Sequence, residues 1–497
     1  MKPGSSIRKI LLIGPPWFRL LGGSSPPSPL GLCYIAGVLE ENGFNVLVYN
    51  ADFKARTGLS QASEMTANYG NYLQILENIN HPLWKEVETV ITQQSPDIVG
   101  ISATTAQYGS ALNVSKLVKN FNPDIPVVWG GVHPTILPDE VINNGHVDIV
   151  VRGEGEYTFL DLIQNLERLD RVQGITYMQN GKVTHNPNRP LINNLDELPF
   201  PARHLILGKE DYLPHAFGNI FATRGCPYNC IFCASSKIWT KRVRYRSPEN
   251  VVNEIKQIKK NFKTHHFCFE DDSFTLNKEF VKAVCELLIN EKLDIKWSAE
   301  TRADLVSDDL IRMMKSAGCE AITIGVESGD EETLKKIKKG ITIEQIKLSK
   351  KILKENRIRF FGAFFMVGFP WEGEKEINKT ILLMKELDPY TAFFSIATPY
   401  AGTELYDICR AEGLLPENVD WSRFFHQSLD VGFTKNLTRE EFQKIIQKAE
   451  KIFEEHNLRK KRQLLLSDLP YLLKTLIKGK YYNPRDLWVL FRRYIWR

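Results

Sequence analysis

The chain has 497 residues, of which 43% are hydrophobic, 11% aromatic and 25% charged. This composition is typical of a globular protein with enough apolar material for large cores, and it excludes disordered, collagen-like and disulfide-scaffold proteins. The formal net charge is only +5, so the overall charge indicates no partner. At roughly 100–200 residues per domain, the length predicts two to four domains.

The first third of the chain alternates short β-branched runs with segments of helical spacing. The predicted strands are 9–14, 45–49, 97–102, 126–130 and 148–151, and the predicted helices are 30–41, 84–94 and 109–121. Such alternation predicts a doubly wound parallel α/β sheet over residues 1–186. Ligands of these sheets bind where the strands end, so the loops after Gly14, Ser102 and Gly130 form the predicted pocket.

A second βα series follows a proline-rich segment. We predict a linker over 187–215, because 187–203 contains four prolines and shows no clear period. The predicted strands of the second series are 219–223, 266–270, 296–300, 321–325, 359–367 and 392–396. Six units are fewer than the eight of a closed barrel, so we expect a partial (βα)6 barrel over 216–405. Residues 406–497 are predicted to form a helical region.

The basic residues concentrate at the end of the chain. Residues 459–497 hold 11 Lys or Arg against 2 Asp or Glu. Apolar and aromatic residues interleave with them, which predicts either an interfacial helix on a membrane surface or a helical cap packed on the barrel. No nucleic acid is expected as a partner, because the stretch lacks a recognised binding motif. No apolar run reaches a membrane span and no cleaved leader is evident, so we expect a cytoplasmic protein, peripheral to the inner face of the membrane if the tail binds lipid.

Three of the eight cysteines fall in one loop after the first strand of the second series. Cys226, Cys230 and Cys233 have the spacing Cys-x3-Cys-x2-Cys. Three thiolates can bind three irons of a four-iron cluster and leave the fourth iron open. The alternative is a zinc site, which needs a fourth Cys or His at short spacing, and none follows within thirty residues. Cys268 shares strand parity with Glu270 and is expected to be a small core residue. The remaining cysteines have no spaced partners, and we give them no role: Cys33, Cys285, Cys319 and Cys409.

This loop, with Tyr228 inside it and Phe232 directly before the third cysteine, resembles the signature of the radical S-adenosylmethionine (SAM) enzymes. The resemblance implies that a 4Fe-4S cluster on the three cysteines reductively cleaves SAM to a 5′-deoxyadenosyl radical. It also implies an external electron donor such as flavodoxin or ferredoxin, and a small-molecule substrate.

The same resemblance implies roles for side chains at successive strand ends. Glu270 stands where the family places an acceptor for the SAM amino group, and Arg302 would pair with the SAM carboxylate. Glu327 would accept hydrogen bonds from the ribose hydroxyls. Each of the three could instead be a solvated loop residue or part of a buried ion pair. Their joint occurrence at the strand ends favours the functional interpretation.

Motifs in the first third resemble the cobalamin-binding domain that is fused ahead of some radical SAM domains. They lie at 26–32, 97–102, 130–134 and 153–156. The resemblance implies cobalamin binding at Ser102, Gly130, Gly131 and His133. The usual Asp-x-His-x-x-Gly pattern is replaced by Gly-Pro-Pro-Trp-Phe at 14–18, so no histidine there can ligate cobalt. We expect His133, in another loop, to hydrogen-bond backbone or the corrin edge rather than the metal.

Taken together, the two resemblances imply a cobalamin-dependent radical SAM methyltransferase. Its substrate would be an unactivated carbon of a hydrophobic or secondary metabolite. One alternative is a radical ring-forming enzyme of the anaerobic porphyrin-ester cyclase type. Another is a non-catalytic iron–sulfur, zinc or cobalamin protein that acts as a sensor, and only this one requires no SAM cleavage.

Overall fold

Two main sheets follow one another along the chain, each with helices packed against it. The computed structural model of the protein describes residues 9–24, 27–55, 57, 62–428, 430 and 433–478. Over these residues the architecture confirms the predicted α/β class, with a doubly wound sheet, a partial barrel and a helical C-terminal region. The boundaries at 186, 215 and 405 remain predictions.

The first sheet contains seven strands within the described residues. They are β1 (Lys9–Gly14), β2 (Asn45–Asn50), β3 (Ile98–Ser102), β4 (Val127–Gly130), β5 (Ile149–Val151), β6 (Ile175–Gln179) and β7 (Lys182–His185). Their order in the sheet is β2-β1-β3-β4-β5-β6-β7, and the first five are parallel. The sheet therefore has the doubly wound order whose ligands bind at the carboxyl ends of the strands.

The antiparallel strands β6 and β7 were not predicted. They extend the parallel sheet at its β5 edge and are joined by a tight hairpin. Asn180 and Gly181 at the turn both have left-handed backbone, with φ of +51° and +74°. An Asn-Gly pair is the strongest short hairpin signal, because a type I′ turn needs positive φ at both central residues. The sequence contains this signal at residues 180–181.

Helices cover both faces of the first sheet. They are α1 (Leu30–Glu41), α2 (Ala62–Ala67), α3 (Tyr69–Glu77), α4 (Pro82–Gln94), α5 (Tyr108–Phe121), α6 (Val132–Ile136), α7 (Pro138–Ile142) and α8 (Glu156–Gln164). Alternate residues of β1 face the two layers: Ile10 and Leu12 pack with α1 and α8, whereas Leu11 and Ile13 pack with α4 and α5. Burial on both faces explains the continuous apolar character of the strand.

The second sheet is an open parallel sheet of six strands in the described part of the chain. The strands after residue 218 are β8 (Asn219–Ile220), β9 (Thr223–Arg224), β10 (Arg244–Tyr245), β11 (His266–Phe269), β12 (Lys296–Arg302), β13 (Cys319–Glu327), β14 (Phe360–Val367) and β15 (Thr391–Ile396). All except β9 and β10 form the sheet, in the order β15-β14-β13-β12-β11-β8. The edge strands β8 and β15 do not pair with each other, so the barrel is partial, as predicted.

The strand predicted over 219–223 is shorter in the structure. Only Asn219–Ile220 pairs with β11, and Thr223 pairs instead with β10. The reason is the buried Asp271, whose carboxylate accepts hydrogen bonds from the backbone N–H groups of Ala222 and Thr223 and from the Thr223 hydroxyl. Those N–H groups are therefore hydrogen-bonded to Asp271 and do not pair with a neighbouring strand of the sheet.

Helices follow the strands of the second sheet. They are α9 (Ser235–Ile238), α10 (Pro248–Phe262), α11 (Lys278–Asn290), α12 (Asp308–Ser316), α13 (Glu331–Lys336), α14 (Ile343–Glu355), α15 (Glu374–Leu387) and α16 (Glu404–Ala411). The start of α10 shows why these segments are helical: Pro248 stands at the first position and the Ser247 hydroxyl accepts from the N–H of Asn250 (3.1 Å).

The segment 187–215 packs against both sheets. Arg203 is 1% exposed and donates to Oε1 of Glu254 on α10 at 2.8 Å and to the carbonyl of Asn219 in β8 at 2.5 Å. Ile206 forms a parallel bridge with Val48 of β2. The proline-rich composition therefore corresponds to an irregular but packed connection.

The last described helix, α17 (Arg439–Lys478), begins as part of the packed fold. Phe453 packs against Phe394 of β15 at 5.0 Å between ring centroids. Arg459 and Lys460 bind the two carboxylate oxygens of Asp388, at 2.6 and 2.5 Å. The beginning of the basic segment is therefore held on the barrel, while residues 479–497 lie outside the described ones. Among the helices that the structure describes, none has both the length and the apolar character to cross a membrane.

Candidate functional site

A cavity of about 420 Å³, here called the first cavity, lies between the two sheets at the carboxyl ends of their strands. Ser102, Gly130 and Gly131 of the first sheet line one side of it. Gly225 and Glu270 line the other side. They belong to the second sheet with its helices and loops, here called the second unit, and the first sheet with its helices is the first unit. The fold therefore brings predicted residues of both resemblances into one cavity.

Several glycines line the first cavity among apolar side chains such as Leu12, Ile35 and Val151. A Cβ at Gly31 would meet no atom within 4 Å. Gly131 has φ of +101°, and a Cβ there would stand 2.8 Å from the carbonyl oxygen of Ala103. Glycine is required at Gly131 to avoid that clash, whereas the open space at Gly31 lets a large, flat group approach the backbone. The lining therefore fits the corrin of a cobalamin.

His133 does not line the first cavity; its ring is packed in the interior. It is 1% exposed, and Nδ1 lies 3.2 Å from Oγ1 of Thr105. The rings of Tyr108 and Trp421 pack against it at 4.9 and 5.6 Å. Burial lowers the pKa of His133 to about 4, so the imidazole is neutral at pH 7. A contact with cobalamin stays a prediction.

The three predicted cluster ligands lie on one loop between β9 and α9, here called the thiol loop. Gly225 begins it with φ of +114°, and a Cβ there would stand 2.5 Å from the carbonyl oxygen of Arg242. Only glycine avoids that clash. The N–H of Cys233 donates to the carbonyl of Cys230 (3.1 Å), and the N–H of Ser235 donates to Sγ of Cys233 (3.4 Å). The loop is therefore shaped by its own backbone.

The three thiols are close enough to influence one another's ionisation. Burial raises the pKa of Cys233 to about 11, and Cys230 and Cys226 contribute in the same direction. Burial also raises the pKa of Cys226 and Cys230, although the nearby cations Lys339 and Arg302 lower that of Cys230. A metal centre that binds here displaces protons, and the two cations offset part of the thiolate charge.

This donor set fits a cluster of several irons better than a single ion. Within the ranges that the structure describes, no three His, Cys, Asp or Glu side chains converge as ligands of one metal ion. Zinc requires four ligands around one centre. In a four-iron cluster each thiolate binds a different iron, so the three sulfurs stand farther apart. The thiol loop is therefore suited to a four-iron cluster: it supplies three thiols, an N–H that donates to sulfur, and two cations nearby.

Carboxylates lie beside the thiol loop. Glu270 and Asp272 line the first cavity, and Asp272 accepts from the Ser235 hydroxyl at 2.5 Å. The pKa of Glu300 is raised to about 7, chiefly by burial and in part by repulsion from its neighbours Glu270, Glu327 and Asp272. This negative region suits a ligand with an ammonium or sulfonium group.

Arg302 and Tyr228 are in direct contact. The guanidinium lies 3.6 Å above the Tyr228 ring. Nε and Nη2 of Arg302 pair with the two oxygens of Asp304, at 3.0 and 3.1 Å. Nη1 is buried and has no hydrogen-bond partner among the described residues. One edge of this guanidinium is therefore committed to Asp304, and Nη1 is left for another acceptor such as a carboxylate.

Glu327 forms a buried ion pair, which was the alternative to its predicted role. Its carboxylate lies 2.6 Å from Nζ of Lys339, and both side chains are 8% exposed. A bulge in the pairing of β13 with β14 falls between Gly325 and Glu327, and Glu327 has left-handed backbone with φ of +65°. The carboxylate thus neutralises Lys339. A contact with ribose stays a prediction.

Four buried charges, here called the interdomain charge cluster, join the two units. Arg224 of β9 binds Glu154 at 2.7 Å and Glu156 at 2.6 Å, and Arg244 of β10 binds Glu154 at 2.8 Å. Burial would lower the pKa of Arg224, but Glu156 and Glu154 raise it above its ordinary value. Residues 153–156 were recognised from the sequence only as part of a family motif, so this pairing was not predicted. Arg224 stands two residues before Cys226, so the cluster anchors the thiol loop to the first unit.

Phe232 lies on the wall of a second cavity of about 270 Å³. Its ring also packs near Phe369, at 6.3 Å between centroids. The predicted aromatic residue before the third cysteine is therefore placed between the barrel core and this second cavity.

Known proteins resemble both halves of the chain. The B12 binding domain matches residues 24–163, and the Radical SAM superfamily matches residues 220–384. An uncharacterized methyltransferase of Pyrococcus horikoshii is 36% identical over 455 residues, which cover 89% of this chain and 92% of the relative. The anaerobic magnesium-protoporphyrin IX monomethyl ester cyclase of Rubrivivax gelatinosus is 30% identical over 400 residues, which cover 78% of this chain and 66% of the relative.

A solved structure shares the fold. The radical SAM methyltransferase TsrM of Kitasatospora setae, with cobalamin and a 4Fe-4S cluster bound, superposes with a TM-score of 0.65 at 16% identity. The superposition covers 82% of this chain and 76% of TsrM.

Proposed function

Because the chain belongs to the radical SAM superfamily, in the group with a B12-binding domain ahead of the radical SAM domain, we propose that it methylates an unactivated carbon of a hydrophobic or secondary metabolite. The cofactors of this family group are a 4Fe-4S cluster, SAM and cobalamin. The names of the Pyrococcus relative and of TsrM support methyl transfer as the outcome.

The observation that carries the proposal is the composition of the first cavity. Its glycine-lined wall, with Gly31 and Gly131, suits cobalamin. Its opposite wall contains Gly225 of the thiol loop and the carboxylates Glu270 and Asp272, which suit the cluster and the positive groups of SAM. A methyl carrier and a radical source would thus share one cavity.

The residues of this chain would bind and orient the reactants. Glu270 and Asp272 would face the ammonium and sulfonium of SAM, and Nη1 of Arg302 would meet its carboxylate. The interdomain charge cluster would hold the two walls in register. When bound, the cluster supplies single electrons and the cobalamin carries the methyl group.

The overall reaction balances with two molecules of SAM and two electrons per turnover. R–H, two SAM and two electrons give R–CH3, 5′-deoxyadenosine, methionine and S-adenosylhomocysteine. The hydrogen of the broken C–H bond ends on 5′-deoxyadenosine, and the methyl group replaces it on carbon. An external reductant of the flavodoxin or ferredoxin class would supply the electrons.

The test uses the full chain, reconstituted without oxygen with iron, sulfide and cobalamin. Given a reductant and SAM with a deuterated methyl group, it is expected to form 5′-deoxyadenosine and S-adenosylhomocysteine, measured by mass spectrometry. An extract of cells that lack the protein should contain a compound that gains one deuterated methyl group. 5′-Deoxyadenosine without a methylated compound would instead favour the ring-forming alternative. No 5′-deoxyadenosine at all would favour the sensor.

Replacing Gly31 with phenylalanine is expected to weaken cobalamin binding by about tenfold or more, because the ring would occupy the cavity and overpacking costs roughly 1–3 kcal/mol. Bound cobalamin, measured by its visible absorption after gel filtration, checks this. The iron content should not change. Gly70→Phe is the matched control: it lies on α3, outside the first cavity, and a Cβ there also meets no atom within 4 Å. Equal cobalamin in both variants would contradict the assignment of this wall.

We also propose that the basic tail binds an anionic membrane surface. Since Arg459 and Lys460 are held by Asp388, the test removes only residues 479–497, which carry 5 Lys or Arg and 1 Asp. Up to about 1 kcal/mol of attraction per basic residue predicts weaker co-sedimentation of the shortened protein with anionic vesicles at low salt. The difference should vanish at 1 M salt, where the Debye length is about 3 Å. Full-length protein that stays in the supernatant at low salt would contradict the proposal.

A further inference from the structure

We propose that the second cavity binds the organic substrate, and that this substrate is an uncharged, planar ring compound. The inference rests on the proposed function, because it assumes that the protein has a substrate to methylate. It is carried by three features of the cavity: its position beside the thiol loop, its uncharged lining and its aromatic walls.

The position of the second cavity suits the reaction. Phe232, directly before Cys233, forms part of its wall. After β3, Ser102 lines the first cavity and Thr104 lines the second. After β4, Gly131 lines the first cavity and Val132 lines the second. A compound in the second cavity would therefore contact the thiol loop at Phe232 and lie against the same loops after β3 and β4 that line the predicted cobalamin site.

The described lining of the second cavity contains no Asp, Glu, Lys or Arg. The first cavity, by contrast, is lined by five of them: Glu154, Glu156, Arg224, Glu270 and Asp272. An ionised ligand in the second cavity would lose its hydration without meeting an opposite charge. His426 lines this cavity too, and burial lowers its pKa to about 4, so its imidazole is neutral at pH 7. The lining therefore favours an uncharged ligand.

Aromatic rings form much of the wall. They belong to Trp17, Phe232, Tyr400 and His426. Trp17 is 6% exposed and held in place: its backbone N–H donates to Asp52 at 2.8 Å, and its ring meets Phe425 edge-on at 5.7 Å. Rings fixed in this way favour a planar ligand, because stacked and edge-to-face contacts reward flat π-systems. At about 270 Å³ the cavity admits a small ring system.

The test measures probe binding to the reconstituted full chain by titration calorimetry. The probes are indole, which is neutral, and its charged counterparts tryptamine and indole-3-acetate. We expect indole to bind at least tenfold more tightly than either charged probe. Ala106 lines the cavity on the turn Thr105–Gln107, and Ala106→Trp should weaken indole binding at least tenfold by filling it. The same change at the exposed Ala67 should leave binding unaltered.

A second variant shows whether binding is lost because the cavity is filled or because the fold is damaged. Ala106→Asp places a carboxylate in the cavity, so the preference should shift from indole to the cation tryptamine. A merely disrupted cavity would lose both probes. The inference is overturned if indole does not bind, if the charged probes bind equally well, or if Ala106→Trp leaves indole binding unchanged.

The same preparations distinguish this inference from the proposed function. Iron, bound cobalamin and 5′-deoxyadenosine are measured on each of them. SAM cleavage without indole binding would refute the second cavity as the substrate site and leave the proposed function standing. Indole binding that follows the expected pattern in a protein that cleaves no SAM would refute the proposed function instead.

Discussion

Replacing Cys226, Cys230 and Cys233 together with alanine is expected to reduce the iron content of the reconstituted protein from about four atoms per chain to a background level. SAM cleavage should be abolished, because the electron for it would come from the cluster. Iron analysis, visible absorption and 5′-deoxyadenosine detection measure the effect. Far-UV circular dichroism should not change, since the thiol loop lies outside both main sheets.

Cys285→Ala is the matched control for this variant. Cys285 is fully buried on α11 among apolar side chains, away from the thiol loop. The control should retain its iron and its SAM cleavage. Retention of about four irons by the triple variant would contradict the assignment of the three cysteines as cluster ligands.

Glu154→Gln in the interdomain charge cluster is expected to lower the free energy of unfolding by about 3–5 kcal/mol. The substitution keeps the shape of the side chain but leaves the buried Arg224 and Arg244 with less opposing charge. Removing one partner of a buried pair is costly because the remaining charge has already lost its hydration. Urea unfolding followed by circular dichroism measures the change.

The control for Glu154→Gln is Glu291→Gln. Glu291 pairs with Lys256 at 2.6 Å, and the two side chains are 43% and 36% exposed. A surface pair of this kind contributes little, so the midpoint of unfolding should hardly move. If the two variants unfold at the same urea concentration, the interdomain charge cluster does not hold the units together. Because Arg224 precedes the thiol loop, the buried variant should also bind iron less tightly than the control.

The sequence by itself determined the positions of the parallel strands of both sheets and of the loop that carries the three cysteines. Periodicity and flanking Gly or Pro residues are local, so β1 and α1 could be predicted with their observed bounds. The spacing of Cys226, Cys230 and Cys233 is local too, and the parallel order of the strands placed their loop at a carboxyl edge. The turn at Asn180 was equally local, and its signal was overlooked.

Contacts between distant residues were decided by the tertiary structure alone. Glu154 and Arg224 are 70 positions apart, and nothing in either neighbourhood indicates the other. Asp271 ends the pairing of β8 by accepting backbone N–H groups 48 and 49 positions away. The pairing of Glu327 with Lys339 also depends on a bulge that no local pattern predicted.

The physical reason is that burial makes the pairing of opposite charges from distant parts of the chain strongly favourable, whereas in water the same pairing is weak. A carboxylate and a guanidinium in water have almost no reason to select each other, whereas in a buried interface each needs an opposite charge. Which pairs become buried depends on how the two sheets pack, and a single sequence does not state that. The chemistry of the thiol loop was therefore predictable from the chain. Its anchoring to the first unit, and the two cavities that it borders, were decided only when the sheets came together.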